Sequence, residues 1–309
     1  MNVLREIWST LSGNFILGIL VQVCYYVILS ESLNLILGYG GMFNIGHAAF
    51  FAIGSYVSAL VSMKLGLPFL LELIIAGCSA GLIGLIVGFP AIRLKGDYLC
   101  FLTYSLAITV HTICRRWTTV TNGDAGLAGI PKVALFKYFG FEGIRISKTW
   151  MFLLLSTAIV TITLFTLNRI INSPFGRTIE SIREDEIAAL ACGRNVSKIR
   201  VILFCVGAFF AGVAGVLYAH YYGVVDPTGF TTNASSIIMQ MVLIGGMGSF
   251  AGAISGAIIV TCVPELLRLL SSACGVGIPI EHIKNIIFSV LLIVIILKRP
   301  QGLFGKLKF

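Results

Sequence analysis

Apolar runs of about 20 residues recur along almost the whole chain, and this limits the folds open to it more than any other feature. Coiled at about 1.5 Å per residue, such a run crosses the ~30 Å of hydrocarbon in a bilayer. Lipid offers no partner to backbone N–H and C=O groups, so each segment must satisfy its own, which favours helices. Barrel strands would show alternating segments of about 10 residues, a pattern this sequence lacks. Spans are expected at roughly 14–38, 42–63, 68–91, 97–115, 150–171, 200–221, 234–250, 251–270 and 282–297. The expected fold class is all-α: a polytopic transmembrane helical bundle of about eight or nine spans, forming a single domain over 1–309.

Of the 309 residues, 57% are hydrophobic and 11% charged. A soluble domain carries about a quarter charged residues, so this chain cannot clothe a water-facing surface. Met1–Gly13 is mixed, and the apolar run after it outlasts a signal-peptide core, so the segment is expected to stay as a span. The net charge of +9 points to membrane topology and not to nucleic acid, because the basic residues flank spans. One cluster is Arg177, Arg183, Arg194, Lys198 and Arg200, and the tail adds Lys298, Arg299, Lys306 and Lys308. The segment 116–148 is also basic, so charge alone does not orient the chain. The eight Cys show no C-x-x-C pairing, and the His at 47, 111, 220 and 282 lack zinc spacing, so no metal site is expected.

Two polar interruptions differ in kind. Thr118–Lys148 contains the Gly/Asn/Asp/Pro-rich run Thr121–Pro131 and reads as turns. In Asn172–Arg200, Asn172 or Ser173 can cap a helix opened by Pro174 and closed by Gly193. Ile179, Ile182, Ile187 and Leu190 give it a partial apolar stripe. The expectation is one amphipathic helix over Gly176–Gly193, in water at a membrane face. Its mixed charge suits a soluble partner better than lipid. Glu180, Arg183, Glu184, Asp185 and Glu186 are its candidate contact residues.

Other patterns are weaker. Gly77, Gly81, Gly84 and Gly88, and again Gly248, Gly252 and Gly256, allow close helix approach, within the chain or at a subunit seam. Gly77-Cys-Ser-Ala-Gly81 matches the G-x-S-x-G nucleophile pattern, but it lies inside an apolar span where a strand-to-helix elbow is needed. There is no phosphate-cradling G-x-x-x-x-G-K-[ST] loop. Asp97 is expected to cap a helix, and Glu31, Glu72 and Glu265 read as interfacial or helix-end charges.

Several blocks together resemble the permease subunits of branched-chain amino acid ABC importers. They are Leu33-Asn-Leu-Ile-Leu-Gly-Tyr-Gly-Gly with Asn44-Ile-Gly-His-Ala-Ala-Phe, Arg93-Leu-Lys-Gly-Asp-Tyr, and Thr121–Pro131. Then come Gly176–Gly193, running into Ala211-Gly-Val-Ala-Gly-Val-Leu-Tyr-Ala219, and Ile244-Gly-Gly-Met-Gly-Ser-Phe-Ala-Gly252. The tail Lys298-Arg-Pro-Gln-Gly-Leu-Phe304 fits as well, and the Arg93 and Thr121 blocks resemble the M-type subunit. His111 stands where a Glu is common, and Asn122 where a Gly is common.

The resemblance implies a transport subunit of the prokaryotic cytoplasmic membrane, with no catalytic residues and no cofactor of its own. It implies a second homologous permease, two cytoplasmic ATPase subunits that hydrolyse ATP, and a soluble substrate-binding receptor. Gly176–Gly193 would be the coupling helix, which places it in the cytoplasm and 118–148 outside. Carrier sites often form where helices break. Gly38–His47 is the foremost such break and Gly245–Gly248 the second. Asn34, Asn44, His47 and Gln240 are accordingly candidate pathway residues, with ordinary interhelical hydrogen bonding as the alternative. A permease for urea, short amides or another small polar solute, a membrane hydrolase acting through Ser79, and a channel are the competing functions.

Overall fold

The computed structural model describes residues 13–91, 94, 96–135, 144–146, 148–274, 290, 293, 297–298 and 302–304. Ten helices organise these residues: α1 (Gly13–Asn34), α2 (His47–Leu65), α3 (Phe69–Ala91), α4 (Asp97–Arg116), α5 (Thr149–Ile171), α6 (Pro174–Glu184), α7 (Glu186–Ala191), α8 (Val196–Tyr222), α9 (Thr232–Gly245) and α10 (Phe250–Cys274). Thr118–Thr121 adds a single short turn of helix. Among the described residues, seven helices are long and apolar enough to cross a membrane, and α9 is a shorter apolar helix. The span expected at 282–297 lies outside the described residues apart from single positions, as do Arg93 and Lys95.

α8 forms the centre of the bundle, with α1, α2 and α3 packed around it. Small residues bring these backbones together. A Cβ on Gly54 of α2 would lie 2.4 Å from the Cα of Gly212, and one on Gly84 of α3 would lie 2.5 Å from the Ala208 side chain. The two Gly-rich faces are thus intrachain seams. Gly77, Gly81, Gly84 and Gly88 meet α8, and Gly252 and Gly256 meet α9. Close approach matters because lipid supplies no hydrophobic drive between helices. Buried aromatics fill one end of the core, where Tyr25, Phe51, Tyr218 and Phe230 interlock.

Two small antiparallel pairs close that end: Leu127–Ala128 with Val224–Val225, and Ala134–Leu135 with Ile144–Arg145. Asn122 adopts a left-handed φ of 61°, a conformation that Gly and Asn tolerate best, and donates to the Gly126 carbonyl at 3.0 Å. Glu72 sits in the first turn of α3, a helix-end position as expected. It is buried against His220 at 2.6 Å, with side chains only 2% (His220) and 3% (Glu72) exposed. The other ring nitrogen of His220 faces the Pro131 carbonyl at 3.1 Å. Both nitrogens meet oxygens, and the pair ties α3, α8 and the 131 loop together. Asp97 is the first helical residue and not the cap, because Gly96 occupies that position.

Candidate functional site

The charged segment folds as an elbow of two helices and not as the single expected helix. Ser173 caps α6, accepting from the Gly176 N–H, with Pro174 in the first turn. Asp185 then leaves the helical region at φ −149° and ψ 106°. Its carboxylate accepts from the N–H groups of Ile187 at 2.8 Å and Ala188 at 3.1 Å, which ends α6 and starts α7. A short carboxylate side chain offers the backbone this alternative to continuing a helix. The apolar residues divide accordingly. Ile179, Ile182 and Ala189 are buried, whereas Ile187 is 77% and Leu190 53% exposed.

Of the five charges predicted to meet a partner, three are engaged within the chain. Asp185 is the cap, and Glu186 pairs with Arg200 at 3.1 Å. Arg183 turns inward, and its guanidinium donates to the Gly38 carbonyl at 2.5 Å. Burial lowers its pKa from the ordinary arginine value, while Glu180 and Glu184 act in the opposite sense. Glu180 and Glu184 themselves are exposed, as are Arg194 and Lys198.

Gly38 belongs to the break that the sequence indicates. α1 passes into a π-helical turn over Leu35–Tyr39, the chain is irregular to Gly46, and α2 starts at His47. π-Turns inside helices are frequent at functional sites. Here Asn34 is fully buried and saturated. Its amide nitrogen donates to the Ser249 carbonyl at 3.2 Å and to Glu31 at 3.4 Å, and its oxygen accepts from Gly248 N–H at 3.0 Å. The second break, at Gly245–Ser249, is therefore bolted to the first. The backbone N–H groups of Leu303 and Phe304 close on the carbonyls of Ile244 and Gly245 at the same place.

His47 is buried too. Ser32 Oγ lies 2.8 Å from its Nε2 and gives its own proton to the Leu29 carbonyl, so Nε2–H donates. Asn44 then donates to Nδ1 at 3.4 Å, which leaves His47 neutral in one tautomer. The structure thus gathers Asn34, Asn44 and His47 into interhelical hydrogen bonding around the breaks, while Gln240 sits apart and half-buried on α9. Glu31, read from sequence as a helix-end charge, is 1% exposed beside Asn34. Arg183–Gly38 and Glu72–His220 have no signal in local sequence spacing.

Ser79 donates to its own helix at Ala76 O, 2.8 Å, and its pentapeptide is continuous α-helix, so no nucleophile elbow exists. Among the described residues no group of His, Cys, Asp and Glu is placed to hold a metal ion. At the opposite end of the bundle, a cleft of about 560 Å³ is lined by His111, Thr112, Arg115, Arg116, Thr118 and Asp124. Arg115 pairs with Asp124 at 2.5 Å and holds that carboxyl below the usual range.

The described architecture agrees with what comparison of the chain returns. The model of the branched-chain amino acid transport system / permease component family matches residues 15–296. The chain belongs to this family. It is a multi-pass membrane protein of a transport family and not an enzyme. The chain is 32% identical to the high-affinity branched-chain amino acid transport system permease protein LivM of Escherichia coli, over 97% of this chain and 72% of the relative. It is 26% identical to the probable branched-chain amino acid transport permease protein LivM of Methanocaldococcus jannaschii, over 96% and 95%. Its identity with the LivH permease of Salmonella typhimurium is 27%, over 91% of each. No solved structure matches it significantly.

Proposed function

We propose that this chain is one permease subunit of an ATP-driven importer for branched-chain or related neutral amino acids in the cytoplasmic membrane. It would form the pathway with a second, homologous permease, above two cytoplasmic ATPase subunits that bind and hydrolyse the ATP. The observation that carries the reading is the α6–α7 elbow. Ile187 and Leu190 stand exposed in a polar segment that also exposes Glu180, Glu184, Arg194 and Lys198. An apolar centre with a charged rim suits a protein interface. With the elbow in the cytoplasm, the 118–148 segment and the His111 cleft face outward.

The same elbow supports a transmission role. A Cβ on Gly176 would lie 1.8 Å from the Ile171 carbonyl, so α6 is packed tightly on the end of α5. Arg183 grips the α1 break, and Asn34 passes that grip to the turn between α9 and α10. Movement of the ATPases would reach both breaks through these bonds. Selectivity belongs mainly to a soluble receptor, because the described spans offer few unpaired charges and one methylene is worth only about 1–3 kcal/mol in a formed pocket.

The test is reconstitution of the chain with its partner permease and ATPases in proteoliposomes, with and without receptor. ATP-dependent leucine uptake that requires the receptor is expected. Preferential uptake of urea would move the assignment to short amides, and leucine flux independent of ATP would refute the importer.

A further inference from the structure

α4 differs from every other span in what it turns outward. Its packed side carries Leu99, Thr103, Ala107 and Cys114, all buried. On the outward side Tyr98, Phe101, Ser105, Thr109, Thr112 and Arg116 are exposed, and so are Tyr104, Ile108 and Ile113 beside them. Lipid accounts for the apolar members of this mixed face but not for its three hydroxyls and its guanidinium. The contrast with α5 is direct. Its exposed Thr157 and Thr161 return their hydroxyl protons to their own helix, to Leu154 O at 2.9 Å and Thr157 O at 2.8 Å. Its neighbours Leu154, Ile162 and Phe165 are open hydrocarbon. That is how hydroxyls survive in lipid. On α4, Ser105, Thr109 and Thr112 make no such bond, although Thr103 on the packed side does, to Cys100 O at 3.0 Å. Unsatisfied hydroxyls in hydrocarbon cost energy, so this face meets water or polar ligands.

A second observation lies at the end of the row. The cleft near Arg116 includes Thr112 and Arg116 in its wall. Arg115 is hydrogen-bonded to Asp124, and Arg116 adds its positive charge to the same cleft. A guanidinium at the mouth of a hydroxyl-lined path suits a carboxylate.

We infer that the exposed face of α4 lines the translocation pathway and conducts a zwitterionic amino acid. Arg116 receives the carboxylate at the outer mouth. Thr112, Thr109 and Ser105 exchange hydrogen bonds with the charged backbone groups along the way, and Phe101 and Tyr98 line the inner half. This rests on the importer reading and moves the path from the two breaks to α4.

The test uses the full complex of both permeases and ATPases with receptor. On a background without reactive cysteines, Thr109→Cys on α4 and Thr161→Cys on α5 are compared with a charged, membrane-impermeant methanethiosulfonate reagent. Thr109→Cys is expected to react at least about tenfold faster and to be protected by leucine during turnover. The double variant Thr109→Val with Thr112→Val should lower leucine uptake by about tenfold while the complex still co-purifies. Equal, slow labelling at both positions would place α4 against lipid or in a dry subunit seam and overturn the inference, as would wild-type uptake by the valine variant. Wild-type complex that takes up no leucine would overturn the importer reading itself, and the inference with it.

Discussion

Arg183 on the α6–α7 elbow and Gly38 in the break of α1 are joined by a 2.5 Å hydrogen bond across 145 positions of sequence. The contact is built from both sides. Gly41, at φ 64°, leaves just enough room for the Arg183 side chain, since a Cβ there would lie 3.0 Å from its Cγ. Gly38 in turn abuts Asn34 and Gly248, at 2.0 Å and 2.4 Å from where a Cβ would stand. One guanidinium thus links the elbow to the two places where membrane helices are interrupted.

The exposed surface of the elbow should govern partner binding. Leu190→Asp and Glu184→Lys should each weaken ATPase association by about 1–3 kcal/mol, as interfacial anchors and charges do. Both side chains are exposed, so membrane insertion should persist. Co-purification with the ATPases and leucine uptake are the measurements, and full retention of both would remove these residues from the contact.

Asp185 should behave differently from its neighbour Glu184. Its carboxylate caps α7. Asp185→Ala should cost the elbow about 1 kcal/mol, and Asp185→Asn should restore most of it because Asn caps nearly as well. Uptake that falls with Ala and recovers with Asn marks a cap. An equal loss in both variants would mark a charge contact instead.

The buried pair of Glu72 and His220 should be strongly coupled. His220→Ala strands the Glu72 carboxylate and should destabilise the protein by about 3–5 kcal/mol. His220→Ala combined with Glu72→Leu should cost less than the sum of the single changes. Thermal unfolding in detergent reads this directly, and additive losses would argue against a shared pair.

The elements and their order were largely legible in the sequence, because apolar length sets a span and Pro, Ser and Gly set its ends. Ser173, Pro174 and Gly193 mark the elbow's limits as they stand in the chain. Its internal corner was not legible, since Asp185 looks like any other acid until its backbone leaves the helix. The same holds for charge. Arg183 and Glu186 lie on a surface-like segment but spend their charge inside the chain, and Glu72 finds His220 only after 148 residues of folding. Periodicity reports which face a residue occupies, not which distant group closes on it. Asn34, Asn44 and His47 lie at or beside the break in hydrogen bonds, because polar residues inside an apolar run must find partners somewhere.

The most direct test of the transmission account is the number of leucine molecules imported per ATP hydrolysed in the reconstituted complex, for wild type and for Arg183→Ala. A charged donor to a buried carbonyl is worth about 1.5–3 kcal/mol, so the variant should lose about tenfold or more of its leucine per ATP while the complex assembles and ATP turnover continues. Arg183→Lys should recover part of it. An unchanged ratio in Arg183→Ala would contradict the account.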